Sequence, residues 1–370
     1  MTISLIPSQP QPRDHTRGSG HGVAPGRSDV PREPLGAPGY RPDIVSAIGG
    51  TPLVAMDRLF AGVPFRVFGK IERFNPGGSI KDRTARSMIE QALRTGEAIP
   101  GVTTVVESTS GNLGIALAQL CNFFGLDLVC VTDPKVTAQN LAIMRAYGAR
   151  VHVVEHRDPA TGEYLPVRLA AVQSLLRTLP HAYWPNQYGN EANARAHHTT
   201  MREIHEALDG RLDYLFVAAG TCGTLRGCAE YVHEHGLGVR VVAVDAVSSV
   251  IFGPPTEEEA AQARRIPGHG SAITPALLRP GLADRVVKVT DADCVRGCRR
   301  LLATESILAG GSSGAVVAAL QRGVEWIEPG SVCVAVLPDG GDRYLDTVYS
   351  DRWVDANIGS RAVAAGRKTP

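Results

Sequence analysis

One pattern constrains this chain more than any other. Short apolar runs rich in valine alternate with stretches whose apolar residues fall at helical spacing. "FRVFGKIE" and "VTTVVE" read as strands, and "DLVCVT", "RVHVVE", "DYLFVAA", "RVVAVDA" and "SVCVAVLPD" follow. Between them, Ala85, Met88, Ile89, Ala92 and Leu93 mark one helix face, closed by Gly96. Ile115, Leu117, Leu120, Cys121 and Phe124 mark another, closed by Gly125. Strands alternating with helices imply an α/β protein, with largely parallel sheet covered on both faces. So many units in 370 residues predict two open, twisted parallel sheets, dividing near residues 185–195.

Residues 1–40 hold seven prolines and no apolar period, so we expect a disordered extension there. Two α/β units are expected at 41–190 and 191–355, with the first strands free to cross to the second unit, and 356–370 as a flexible tail. The stretch from Gly253 to Gly281 carries no strand signal; it suits a surface helix in "TEEEAAQARR" and a mobile loop near the site. The formal net charge of +1 gives no electrostatic case for nucleic acid or an anionic membrane. No apolar run is long enough to span a bilayer, and "MTISLIPSQPQPRDHTR" is a poor signal peptide. Seven cysteines are scattered, with no CxxC pair, and read as reduced thiols of a cytoplasmic protein. Cys294 and Cys298 are one helical turn apart, but without a further His or Cys set no metal is expected.

In open parallel α/β sheets, ligands bind where strands end and helices begin. Four such junctions are rich in Gly, Ser and Thr: "GGSIK" from Gly77, "ESTSGNLG" from Glu107, "AGTCGTLRG" from Ala219 and "AGGSSGA" from Ala309. Free N–H groups at a helix start bind phosphate or carboxylate, and glycine lets the backbone come close. A single such junction is an ordinary cap; four suggest a ligand with several anionic groups. No GxxxxGK[ST] appears, and no GxGxxG stands between a strand and a helix. "GTCGTLRG" is shorter and hydroxyl-rich, which suits one phosphate monoester. The first junction also carries Lys81 on its first turn. A positive helix end disfavours an ammonium and lowers its pKa. A neutral amine forms Schiff bases and later acts as a base. Pyridoxal 5'-phosphate, with an aldehyde, a phosphate and an aromatic ring, would use all these parts.

These motifs resemble, in order, those of the cysteine synthase and cystathionine β-synthase family of pyridoxal-phosphate enzymes, known as fold type II. The resemblance covers about residues 44–354. It implies two open parallel-sheet α/β domains with the cofactor between them, and a homodimer. "NPGGSIKDR" looks like the cofactor-lysine motif, making Lys81 the Schiff-base residue. Ser108, Thr109, Ser110, Gly111 and Asn112 look like the loop that grips the substrate carboxylate, with Asn112 also near the cofactor's 3'-oxygen. Gly220, Thr221, Cys222, Gly223 and Thr224 look like the phosphate cradle, although the family has glycine where Cys222 stands. Ser312 resembles the serine that hydrogen-bonds the pyridine nitrogen. "NQYGNEAN" resembles the segment that closes on the substrate, placing Gln187 near its carboxylate.

Longer stretches, among them "VDAVSSVIFG" and "LPDGGDRYLDTVYSDRWV", resemble one branch of that family. It joins O-phospho-L-serine to L-glutamate on the way to 2,3-diaminopropionate for siderophores or peptide antibiotics. The resemblance implies that Lys81 takes the Cα proton, the β-substituent leaves, and an amine adds in its place. A neutral Ser312 hydroxyl should favour elimination over transamination. For the donor phosphate, Arg168 and Tyr188 are the candidates, against a surface helix arginine and a core aromatic. His197 and His198 read as ordinary helix residues, and Asp339, Asp342 and Arg343 as braces of the last loop. O-phosphoserine or O-acetylserine with a thiol nucleophile, giving cysteine or cystathionine, is the alternative. A cofactor-keeping regulatory protein would not need Lys81, Asn112 and Ser312 together, and a nicotinamide enzyme would need the missing GxGxxG.

Overall fold

The computed structural model describes residues 40–160, 162–262 and 264–359. The expected extension up to residue 39 and the tail from 360 lie outside the described residues.

Ten strands and ten α-helices are described. The chain begins with β1 (Leu53–Ala55), β2 (Arg66–Ile71), α1 (Lys81–Thr95), β3 (Thr104–Ser108), α2 (Asn112–Phe124), β4 (Asp127–Thr132), α3 (Ala138–Ala146), β5 (Arg150–Val153), α4 (Leu165–Thr178) and β6 (Ala182–Tyr183). It continues with α5 (Glu191–Ala207), β7 (Tyr214–Ala218), α6 (Gly223–Glu234), β8 (Arg240–Ala246), α7 (Glu257–Ala260), β9 (Arg285–Val289), α8 (Asp291–Glu305), α9 (Gly311–Gly323), β10 (Val332–Leu337) and α10 (Asp351–Asn357). They form a six-stranded sheet, ordered β1-β2-β10-β7-β8-β9, and a four-stranded sheet, ordered β5-β4-β3-β6. Every pairing is parallel except β1 with β2.

The strands are legible because helices cover both faces, so most are continuously apolar rather than alternating. Residues 128–132 of β4 and 241–246 of β8 are all buried. Gly96 and Gly125 end α1 and α2 in the left-handed region, at φ 77° and 70°, where a Cβ would be strained. The smaller sheet packs Val106, Val129 and Val131 against Val172 and Leu175 of α4. On its other face lie Leu117 and Leu120 of α2 with Met88 and Ile89 of α1. The larger sheet packs Phe216 and Val242 against Val316 and Leu320 of α9, and Val241 and Val334 against Leu225 and Cys228 of α6. Helices α8 and α9 touch at Gly297 and Gly314. A Cβ on either would overlap the other helix's backbone.

Three expectations change in detail. The helix in "TEEEAAQARR" is a single turn, opened by a capping box between Thr256 and Glu259. The loop after it is pinned rather than loose: Gly270 N–H donates to Ala219 O at 2.7 Å, and Leu277 N–H to Tyr188 O at 3.1 Å. Helix α10 runs through Asn357, two residues into the expected tail. All seven cysteines are free and buried. Cys294 and Cys298 share a face of α8, yet each thiol donates to a backbone carbonyl, of Thr290 and Gly310, at 3.2 Å. Among the described residues, no helix is long and apolar enough to cross a membrane.

Candidate active site

The site forms where the strands of both sheets end. The tie between the sheets starts at Lys81. Ile80 N–H donates to Pro338 O at 2.8 Å, which seats the start of α1 on the end of β10. Gly77 N–H donates to the buried Asp82 carboxyl, whose pKa burial pushes up to about 7. Lys81 itself is half-buried, and its Nζ makes no hydrogen bond to any described residue. Burial lowers its pKa, and the Asp339 carboxyl opposes that shift.

Beside Lys81 stands the phosphate-cradle candidate. Strand β7 ends, and residues 220–224 turn into α6, leaving the first N–H groups of the helix without intrahelical partners. Cys222 sits at φ 65°, in the left-handed region. Glycine takes that conformation without strain, which is the physical reason for the glycine of the family form; here a cysteine bears it. Asn193 props the turn: its Nδ2 donates to Gln187 O at 2.8 Å and to Thr221 Oγ1 at 3.2 Å. Gly223 leaves the space that Asn193 fills. The His197 ring lies between helices, 3.1 Å from Thr84 Oγ1, 3.3 Å from Thr224 Oγ1 and 3.2 Å from Thr200 Oγ1. Burial, then the charges of Lys81 and Arg83, hold its pKa well below the ordinary value, so it is neutral.

Gly223→Ala should therefore push Asn193 aside and loosen Thr221. We expect cofactor affinity to fall roughly 10-fold, the loss of one or two hydrogen bonds. Fluorescence titration of the apoprotein with pyridoxal phosphate checks it; an unchanged dissociation constant would remove Asn193 from the cradle's support.

The third corner is Ser312, buried on the first turn of α9, with no described hydrogen bond to its hydroxyl. The loop through Gly268 passes over it, in contact range of Ser312 Oγ and close to Gly220. The fourth is the loop from Ser108 to Asn112, which opens α2. Gln187 Nε2 donates to Ser108 O at 3.0 Å, and its backbone N–H to Glu107 Oε2 at 3.2 Å. Ser108 Oγ is buried without a partner. Thr109 is buried, and its N–H is tied to Val131 O at 2.9 Å. Asn112 Nδ2 donates to Asp339 Oδ2 at 2.7 Å, and its Oδ1 accepts from Arg343.

Arg168 does not lie on the surface. Its side chain is 13% exposed and reaches the same loop, with Nη1 3.4 Å from Ser110 Oγ and 3.2 Å from Asp133 Oδ2. Its Nε is buried and unpartnered. Tyr188 lies within reach of its charge: burial raises the phenol's pKa, Arg168 and then Arg264 oppose that, and Glu107 adds to it. The residues singled out in the sequence thus lie together along linked contacts. Sequence reasoning did not name Asn193, set His197 aside as an ordinary helix residue, and took Asp339 and Arg343 for loop braces. Nothing in the local pattern marks them, because their partners come from distant segments. Asp342 does pair with Arg73, at 3.0 Å, on the exposed side.

The residues fit pyridoxal phosphate: an amine with no partner, a hydroxyl-rich helix start with open N–H groups, and an unbonded hydroxyl on α9. The comparisons agree. Residues 44–339 match the family described as pyridoxal-phosphate dependent enzyme. The chain is 46% identical over 323 residues to the N-(2-amino-2-carboxyethyl)-L-glutamate synthase of Ralstonia nicotianae, covering 87% of this chain and 94% of that protein. A crystal structure of O-ureido-L-serine synthase superposes with a TM-score of 0.74 at 33% identity, over 86% of this chain and 99% of that one. An O-ureido-L-serine-bound mutant of that synthase gives 0.75 at 32% identity, over 88% and 98%.

Proposed function

Because the chain belongs to the pyridoxal-phosphate dependent enzyme family, we propose that it joins O-phospho-L-serine to L-glutamate, giving N-(2-amino-2-carboxyethyl)-L-glutamate and phosphate. The product is a precursor of 2,3-diaminopropionate for a siderophore or peptide antibiotic. The enzyme works in the cytoplasm as a homodimer. The observation that carries the reading is Arg168: its guanidinium, paired on one side with Asp133, reaches the substrate loop and leaves Nε unpartnered, which suits a donor whose leaving group is an anion. The synthase relative supports the choice of glutamate.

Bound pyridoxal phosphate supplies an aldehyde that bonds to amines and a ring that accepts the electron pair left by a departing Cα proton. The chain supplies the rest. Lys81 would hold the cofactor through its aldehyde carbon, and its nitrogen, when free and neutral, would take the Cα proton of the donor and return one. Residues 220–224 receive the phosphate with the N–H groups of α6 and the hydroxyls of Thr221 and Thr224. Asn112 has one N–H to spare for the ring's oxygen, since its other N–H and its oxygen are engaged. Ser312 offers the ring nitrogen a neutral partner. The loop from Ser108 to Asn112 and Gln187 hold the donor carboxylate. Arg168 and Tyr188 hold the donor phosphate and stabilise it as it leaves, and the glutamate nitrogen takes its place on Cβ.

Offering O-phosphoserine or O-acetylserine with glutamate, sulfide or homocysteine, and weighing the products, tests this. We expect the glutamate adduct from O-phosphoserine; cysteine or cystathionine in its place would overturn the assignment. Arg168→Ala should raise KM for O-phosphoserine roughly 10- to 100-fold, the loss of a charged hydrogen bond. Any turnover of O-acetylserine should change little, which separates phosphate recognition from damage to the fold.

A further inference from the structure

Asp339 follows β10 and is 2% exposed. Its backbone bridges to Ser79, two residues before Lys81, and its carbonyl accepts from Gly310 N–H at 3.1 Å, two residues before Ser312. Its Oδ2 accepts from Asn112 Nδ2 at 2.7 Å and from the Tyr344 hydroxyl at 2.6 Å. One residue therefore joins the segments that carry Lys81, Asn112 and Ser312. The second oxygen, Oδ1, is buried and has no partner. Gly310 is bare beside it, because a Cβ there would overlap Oδ1. A loop brace needs only the backbone bonds; it does not need a buried carboxyl with a free oxygen.

We propose that Asp339 is a positioning residue whose carboxyl strengthens the Lys81 nitrogen as a base and aims the free N–H of Asn112 at the ligand. This rests on Lys81 being the cofactor lysine. Burial alone lowers a lysine pKa by up to about 3–5 units, which makes a weak base for a Cα proton. An opposite charge nearby restores part of that loss. Burial raises the pKa of the Asp339 carboxyl as well, and the Tyr344 and Asn112 hydrogen bonds, then the charges of Arg343 and Lys81, favour its anion. The groups around the pair leave this role to Asp339. His197 faces Lys81 from α5, but it is neutral. Arg343 is engaged by Asn112 and Gly77 O. Tyr344, Tyr349 and the Cys298 thiol of α8 stay protonated, because burial raises all three.

Asp339→Asn removes the charge and keeps the shape. Two readouts follow the Lys81 nitrogen without measuring turnover. In the apoprotein, the pH dependence of Lys81 acetylation by acetic anhydride is read from the mass of its peptide. In the holoenzyme, the pH midpoint of the cofactor's visible absorbance is read directly. Both midpoints should move down by about one to two pH units, a 10- to 100-fold change in proton affinity. Tyr344→Phe, which removes a hydrogen bond from Oδ2 but keeps the charge, should leave both near wild type. Unmoved midpoints in Asp339→Asn overturn the proposal, as does an equal shift in Tyr344→Phe. Should Asp339→Asn fail to fold, Asp339→Ser is read in its place. Borohydride reduction and peptide mapping of the wild type separate the two levels. Cofactor on another lysine defeats the functional reading and this proposal with it; cofactor on Lys81 with unmoved midpoints defeats the proposal alone.

Discussion

Lys81→Ala loses β-replacement activity by at least the 10²–10⁴-fold that one positioned proton transfer contributes, and it no longer retains cofactor mass on the peptide after borohydride reduction. The loss is large because the proposed mechanism gives one nitrogen two roles, anchoring the cofactor and moving the Cα proton. No neighbour replaces it. Of the titratable groups around it, the neutral His197 ring is engaged by three threonine hydroxyls, and Asp339 Oδ2 by Asn112 and Tyr344. Lys81→Arg should be as inactive, because a guanidinium does not give up its proton. Its charge also sits in a space where burial already disfavours an ammonium. A Lys81→Ala protein with wild-type thermal stability and appreciable turnover would remove this residue from the reaction.

The parts of this molecule that could be read in advance are contiguous in sequence. Lys81, the turn at 220–224 and Ser312 each stand in a short run whose glycines and hydroxyls have a local reason, the opening of a helix. Strands β4 and β8 were legible to the residue because burial on both faces makes them continuously apolar. Strand β9 was not: most of "RVVKV" is only partly buried, and two of its residues are charged. Strands β1 and β6, of three and two residues, are too short to carry a period. The supports of the site were hidden for another reason. His197 draws on α1 and α6 from α5, and Asp339 on α1 and α2 from the end of β10. Periodicity describes one element at a time and cannot show such meetings. Arg168 lay between the two cases. Its residue type was informative, but only the packing of α4 against β3 shows that it points inward.

Glu72→Ala should cost about 3–5 kcal/mol of stability, the usual result of leaving one partner of a buried ion pair alone. Glu72 is fully buried and accepts four hydrogen bonds from side chains: Arg83 Nε at 2.7 Å and Nη2 at 2.9 Å, Thr51 Oγ1 at 2.6 Å, and Asn75 Nδ2 at 2.8 Å. Arg83 also grips Glu203, at 2.7 and 2.6 Å, and Lys70 reaches the same carboxylate at 2.7 Å. Burial would raise the pKa of Glu203, yet the Arg83 and Lys70 bonds hold it down to about 2. Two cations thus balance two anions in a largely dry space. Removing Glu72 leaves a surplus positive charge that cannot escape, because arginine stays protonated. Glu72→Gln keeps the shape and some hydrogen bonds, so it should cost less than Glu72→Ala and still more than a surface change. Denaturant unfolding should show a lower midpoint with an unchanged slope. A cost under about 1 kcal/mol would mean that water or a local shift rescues Arg83, contrary to a buried network. The network also bears on catalysis, because Arg83 lies two residues after Lys81 on the first turn of α1. If it holds that turn in place, Glu72→Ala should weaken cofactor binding as well as stability. Glu203→Ala, which strips a more exposed partner of the same arginine, should show both effects to a smaller degree.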